Sequence, residues 1–338
     1  MKIGKKKLNI SNAVVLTVIL ILLIVAFGLI IPRGVFFRPD VLLGTTTDVA
    51  YLGVMALPMT FIILTAGIDL SVGFLMCASA MFFSTAYGAT GSLVPSVLIA
   101  LASGALFGFI NGIIVAKTKI HSWLVTLSTM YVFQAITWFI GGTHSYASGE
   151  AFVDFLRGDV LGIVPIQLVI LIVFWIIFDL LDTRSTLGRY LHAIGHNENG
   201  VMFSGVDAKM IQCLIFVMMG VMCAVAGVMF LGSSWEINQT TGLNMNIEVI
   251  AIVVLGGTSV AGGTGSIRGT FVATLIVGVL RRGLALMGMS GDVYNFILGV
   301  VLLCALVAFT QSEIRKRQAS REAALANLNE SSAPEKTS

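Results

Sequence analysis

The sequence predicts an all-α integral membrane protein. It has about ten transmembrane helices, both termini in the cytoplasm and one broken or re-entrant glycine-rich segment. Three observations predict this. The chain is 57 % hydrophobic and only 11 % charged, whereas an ordinary soluble domain carries about 25 % charged residues. Its apolar residues gather into ten runs, most of them close to the roughly 20 residues a spanning helix needs. Lys and Arg collect on one side of those runs.

The elements follow in order. A basic start, "MKIGKKKLNI" over residues 1–10, leads into an apolar run over 11–31. A signal peptide has this shape too, but its apolar core spans about 7–15 residues and ends in a small-residue cleavage site. Here the run is longer and "IPRGVFF" follows, which predicts an uncleaved first helix. Further spans are expected over 48–67, 72–88, 94–116, 122–141, 161–181, 210–232, 246–258, 269–289 and 293–311. The membrane domain is therefore 11–311, with a polar cytoplasmic tail over 312–338. The eighth run is short, so 244–267 is expected to break or re-enter. Such backbone is tolerated where protein or a water-filled cavity surrounds it.

With the N-terminus inside, fifteen of the twenty Lys and Arg lie in cytoplasmic segments. Only Arg33, Arg38 and Arg157 lie outside, and Arg281 and Arg282 fall within a span. Cys77, Cys213, Cys223 and Cys304 sit in apolar runs without metal-like spacing and read as small buried hydrophobes. His192 and His196 are four residues apart, but no third ligand accompanies them, so no metal site is expected.

"TAGIDLSVG" (65–73) interrupts two apolar runs with a carboxylate. Asp69 has two readings. It accepts hydrogen bonds from the free N–H groups at the start of the next helix, or it is a buried ionisable group in a transport path. The flanking Gly67, Ser71 and Gly73 favour the cap.

The longest polar cytoplasmic segment runs over 182–209 and exceeds the usual connection of about 4–6 residues. Asn197 is suited to an N-cap, Glu198 to a first turn and Gly205 to a stop. Between them a short helix is expected to expose Val201, Met202 and Phe203 as an apolar docking surface. The glycine-rich "VLGGTSVAGGTGSIRGT" (254–270) lacks the Lys that a phosphate-cradling loop requires. It reads as a packed or re-entrant element whose small residues allow close approach.

Four segments carry a family resemblance: "ALPMTFIILTAGIDLSVG", "FGFINGIIVAKTKIHSWLVTLSTMYVF", "GRYLHAIGHNENGVMFSGV" and "AIVVLGGTSVAGGTGSIRGT". In this order, over about residues 40–310, they are similar to the permease subunits of bacterial sugar ATP-binding-cassette (ABC) importers of the ribose, xylose and galactoside type. "ALPMT" and the overall style are most similar to the permeases of the autoinducer-2 importer. The resemblance implies paired permeases, as two copies or with a related chain, in the bacterial inner membrane. It also implies cytoplasmic ATPase subunits that carry the ATP and magnesium, and a periplasmic or lipid-anchored solute-binding protein. This chain would hold no cofactor, hydrolyse nothing and bind no nucleic acid. Gly188, Arg189, Ala193, Gly195, Asn197 and Gly205 match the region that seats a short helix in the ATPase. Val201, Met202 and Phe203 are then expected to fill its apolar cleft.

Two departures stand out. The usual "GGIDLSVG" reads "AGIDLSVG" here, with Ala66. Arg281 and Arg282 stand where relatives commonly carry amides. Each arginine costs roughly 2.5–3.5 kcal/mol at a span centre on insertion scales, so both should face water, a carboxylate or the outer interface. The sharper reading is a cavity for an anionic or highly hydroxylated substrate. A rival from another class is an ion-gradient-driven secondary transporter, which would want ionisable residues deep in several spans. Asp48, Asp69, Asp179 and Glu248 all lie near span ends instead. An integral membrane enzyme would need a catalytic set that the sequence lacks.

Overall fold

A computed structural model describes residues 12–118, 120–141, 146–147, 150–160, 162–234, 236–238 and 240–307, with 311 and 318. The basic N-terminus over 1–10 and the polar tail over 312–338 lie outside these, apart from residue 318. The described chain is almost wholly helical: α1 (Asn12–Ile30), α2 (Pro39–Thr47), α3 (Ala50–Leu64), α4 (Val72–Thr90), α5 (Leu93–Lys117), α6 (Ser122–Gly141), α7 (Glu150–Arg157), α8 (Ile166–Arg184), α9 (Thr186–Phe203), α10 (Ala208–Ser234), α11 (Met245–Leu255) and α12 (Ile267–Leu286). A last apolar helix, α13, covers Gly291–Val307.

Seven of these (α1, α4, α5, α6, α8, α10 and α12) are long and apolar enough to cross a membrane, and α2 with α3 makes an eighth if that bent pair is one span. The bend is 48° and lies at the start of the expected span over 48–67, ahead of which the sequence predicts no helix. Three consecutive threonines close α2, and Thr45 and Thr46 turn their hydroxyls back to the carbonyls of Leu42 and Leu43, each at 2.6 Å. Such back-bonding competes with the helix ladder. Helices α11 and α13 are shorter and apolar.

At the centre lies α3, buried along its whole length from Ala50 to Leu64. A helix that is apolar all round belongs inside a bundle. It packs against α8, α10, α11 and α12, and Thr60 reaches Thr270 of α12 through a 2.8 Å hydroxyl contact. Apolar side chains face outward around it, including Leu29, Val94, Phe139 and Phe296. Lipid requires such a surface and water would penalise it.

Helices α5 and α10 make the tightest seam. Gly104, Gly108 and Gly112 recur every fourth residue on α5. A Cβ on any of them would strike the α10 backbone at Gly220, Phe216 or Cys213. This is small-residue packing, in which helix backbones approach without side chains between them. The cysteine expectation holds only in part: Cys77 and Cys223 are buried, Cys213 is half-buried and Cys304 is exposed. Also unexpected is α7, which seats Phe152, Val153 and Leu156 at the end of α10. There Arg157 Nε donates to the Gly232 carbonyl at 3.0 Å.

Candidate functional site

The "GIDLS" turn is built by its neighbours. Helix α3 ends with Ala66 in the left-handed region at φ 60°. The amides of Ala66 and Gly67 donate to Ile63 and Ile62 carbonyls at 2.9 and 3.0 Å, a paired C-terminal closure. The following amides of Ile68 and Leu70 donate to Ser122 Oγ and Thr126 Oγ1 of α6. Asp69 is 1 % exposed and its Oδ1 accepts from the Ser71 amide (2.8 Å) and hydroxyl (2.6 Å). Asn111 of α5 donates in turn to Ser71 Oγ at 2.9 Å. Asp69 thus orders the entry to α4, and its Oδ2 makes no hydrogen bond. A Cβ at Gly73 would strike the Gly242 carbonyl, so this turn also abuts the approach to α11.

The polar segment over 182–209 forms α9 with a break at Asn197, where φ is −163° and ψ 93°. Asn197 Oδ1 accepts from the Gly200 amide at 3.0 Å, the geometry of a helix N-cap. Gly205 ends the turn at φ 83°, and Glu198 accepts from Gln212 at 3.3 Å. Phe203 is 92 % and Met202 42 % exposed. The expectation that Val201 shares this exposed surface is overturned. It is buried with Ile194 and Ala208 in a small core of its own, because three consecutive side chains of a helix cannot all turn to one face. Arg189 is exposed and Ala193 packs beside that core.

Two further contacts join this segment to the glycine-rich one. Gly195 lies so close to α3 that a Cβ would meet the Leu64 carbonyl and the Gly263 amide, which are hydrogen-bonded to each other at 2.8 Å. Gly188 approaches the Asp182 carbonyl in the same way. His192 Nδ1 lies 2.9 Å from the Gly263 carbonyl and Nε2 3.0 Å from Asp182 Oδ1. Both partners only accept, so the imidazolium satisfies both contacts at once. The Asp182 hydrogen bond, reinforced by the Gly263 carbonyl, holds the His192 pKa above its ordinary value against partial burial. Residues 256–266, with Gly257, Gly262 and Gly263 at positive φ, form the compact turn between α11 and α12. Among the described residues no cluster of three metal-ligating side chains occurs, and His196 hydrogen-bonds the His192 carbonyl.

Both arginines of α12 face carboxylates. Arg282 Nη1 lies 3.3 Å from Asp48 Oδ2. Arg281 Nη1 lies 3.7 Å from Glu248 Oε2 and 3.2 Å from the Tyr51 hydroxyl, and the guanidinium sits 5.3 Å from the Tyr294 ring centre. Beside Arg281 opens a cavity of ≈ 280 Å³ between α11, α12 and α13. Sequence reasoning noted Glu248 but missed its pairing, and missed Tyr51 and Tyr294 altogether. The contact between Arg281 and Glu248 spans 33 positions, and no local pattern announces it.

The architecture so far is that of a membrane-spanning helical bundle with a structured polar hook and a polar cavity among its helix ends. A family model described as the permease component of the branched-chain amino acid transport system matches residues 41–306. The chain belongs to this family of transport permeases and is the membrane-spanning permease of a transport system. Among individual proteins it is similar to the autoinducer 2 import system permease protein LsrD of Escherichia coli K12 and of Shigella flexneri. Each is 31 % identical over 309 residues, covering 89 % of this chain and 93 % of the relative. LsrD of Escherichia coli O157:H7 is 30 % identical over the same span. No solved structure matches the chain.

Proposed function

We propose that this chain is one permease subunit of an ATP-driven importer in the bacterial cytoplasmic membrane, and that it carries a sugar-like solute of the autoinducer-2 type. The family's description speaks of branched-chain amino acids. The matches to LsrD over nearly the full length favour the sugar-like solute instead. In this reading the chain crosses the membrane ten times, with α2 and α3 as one bent span and α11 and α13 as short ones. Both termini are cytoplasmic. The permease pairs with a second copy or a related chain, receives solute from an external binding protein and docks on ATPase subunits that hold the ATP and magnesium. Gly67, Asp69, Ser71 and Gly73 form a structural turn near the inner gate. Gly188, Arg189, Ala193, Gly195, Asn197, Glu198 and Gly205 shape the hook that presents Met202 and Phe203 to the ATPase.

One observation carries this reading. Phe203 projects almost fully exposed from a capped turn. A large apolar side chain held there by an ordered scaffold marks a contact surface. The test is co-purification of the chain with its candidate ATPase, followed by hydrolysis and uptake assays in vesicles. Phe203→Asp should insert and fold normally, yet lose most of the coupling between ATP hydrolysis and uptake. Normal transport by this variant would remove the docking role. A chain that purifies alone and transports only with an ion gradient would favour a secondary transporter.

A further inference from the structure

We infer that the cavity between α11, α12 and α13 is a solute subsite for a neutral, polyhydroxylated molecule of monosaccharide size. This rests on the importer reading and goes beyond it by assigning residues and excluding anions. Charge carries the first part. Among the described residues lining the cavity, Glu248 and Arg281 are the only charged ones, and they face each other at 3.7 Å. The second arginine, Arg282, is turned away to Asp48. The site therefore holds balanced charge. An anion placed there meets Glu248, and a cation meets Arg281.

Polar chemistry carries the second part. Glu248 and Tyr294 are 8 % and 5 % exposed and engage each other and Arg281, yet neither Glu248 Oε2 nor the Tyr294 hydroxyl reaches full hydrogen-bond geometry. Buried polar atoms that are only partly satisfied are costly. A ligand that both donates and accepts relieves them with small side-chain shifts. Asn244, Ser290 and Asn295 line the same cavity from its exposed rim and add further donors and acceptors. Adjacent hydroxyls of a sugar offer that mixture, whereas an apolar amino-acid side chain does not. The volume of ≈ 280 Å³ lies just under the range of about 300–1,000 Å³ typical of drug-sized ligands.

The test uses the full chain with its ATPase in vesicles, after replacing its four cysteines by alanine and introducing Asn295→Cys at the rim. Labelling by a membrane-impermeant maleimide is followed with D-ribose, D-xylose, D-galactose, autoinducer 2 and D-ribose 5-phosphate. At least one neutral solute should slow labelling, and D-ribose 5-phosphate should not. Glu248→Gln or Tyr294→Phe should weaken this protection by about tenfold in solute concentration, the equivalent of one hydrogen bond to a charged group. If Glu248→Gln fails to assemble, Asn244→Ala at the exposed rim replaces it, with loss of protection again expected. Equal protection by the phosphate overturns the neutral class. Protection unchanged in every variant removes these residues from the site. No protection by any neutral solute overturns the subsite. In that case stimulation of the ATPase by a loaded binding protein shows separately whether the importer reading stands.

Discussion

Gly195→Ala tests the join between the α9 hook and the helical core. An added Cβ would overlap the Leu64 carbonyl and the Gly263 amide, the two ends of a 2.8 Å hydrogen bond. Both neighbours are backbone, so no flexible side chain can swing aside. Overpacking of this kind costs about 1–3 kcal/mol. Separating the Leu64–Gly263 pair forfeits about 0.5–1.5 kcal/mol more. The expected loss is roughly 1.5–4.5 kcal/mol in total. It should appear as a lowered midpoint in thermal unfolding of the detergent-solubilised complex. The displaced Gly263 also carries the carbonyl facing His192, so coupling of ATP hydrolysis to uptake should fall as well. Gly205→Ala is the internal comparison. Its φ of 83° disfavours a side chain, but a Cβ there meets nothing within 4 Å, so only the backbone penalty of about 1–2 kcal/mol applies. A Gly195→Ala protein as stable and as well coupled as wild type would refute the close contact.

Three other outcomes are expected. The raised pKa of His192 stabilises the fold fully below about pH 6.5, the ordinary imidazole value. That stabilisation fades as pH rises through the folded value, so unfolding midpoints measured from pH 6 to 9 should fall more steeply in wild type than in His192→Gln. Ala66→Gly relieves a left-handed backbone at φ 60° and should raise stability by about 1 kcal/mol at most, read by the same unfolding assay. Asp48→Asn should change stability by no more than about 1 kcal/mol, because the Asp48–Arg282 pair is over a third exposed on both sides and screened by solvent. It should leave uptake unaltered.

Much of the architecture was legible because lipid imposes local rules. All ten apolar runs correspond to helices, since each run reports its own burial without reference to a neighbour. Asn197 and Gly205 were legible for the same reason: capping and left-handed turns are decided within a few residues. What escaped was long-range or depended on which way a side chain points. Val201 differs from Phe203 only in its position around one helical turn. The pairings of Arg281 with Glu248 and Arg282 with Asp48 depend on how α12 meets α11 and the bend before α3. His192 stood out only by its spacing from His196, with no metal site expected, and its actual partners, Asp182 and Gly263, lie 10 and 71 positions away. The glycines of α5 carried a readable four-residue spacing, which in hindsight marks a helix seam.

That seam has a mechanical corollary. Where main chain rests on main chain, neither helix can slide or rotate without a direct collision, since no rotamer change is available to absorb the movement. Helices α5 and α10 should therefore travel as one rigid beam through the transport cycle. Spin labels placed on their exposed faces would report one unvarying separation with and without nucleotide. The shape change that moves solute then has to be carried elsewhere, at joints such as the 48° elbow before α3 and the glycine turn beyond α11.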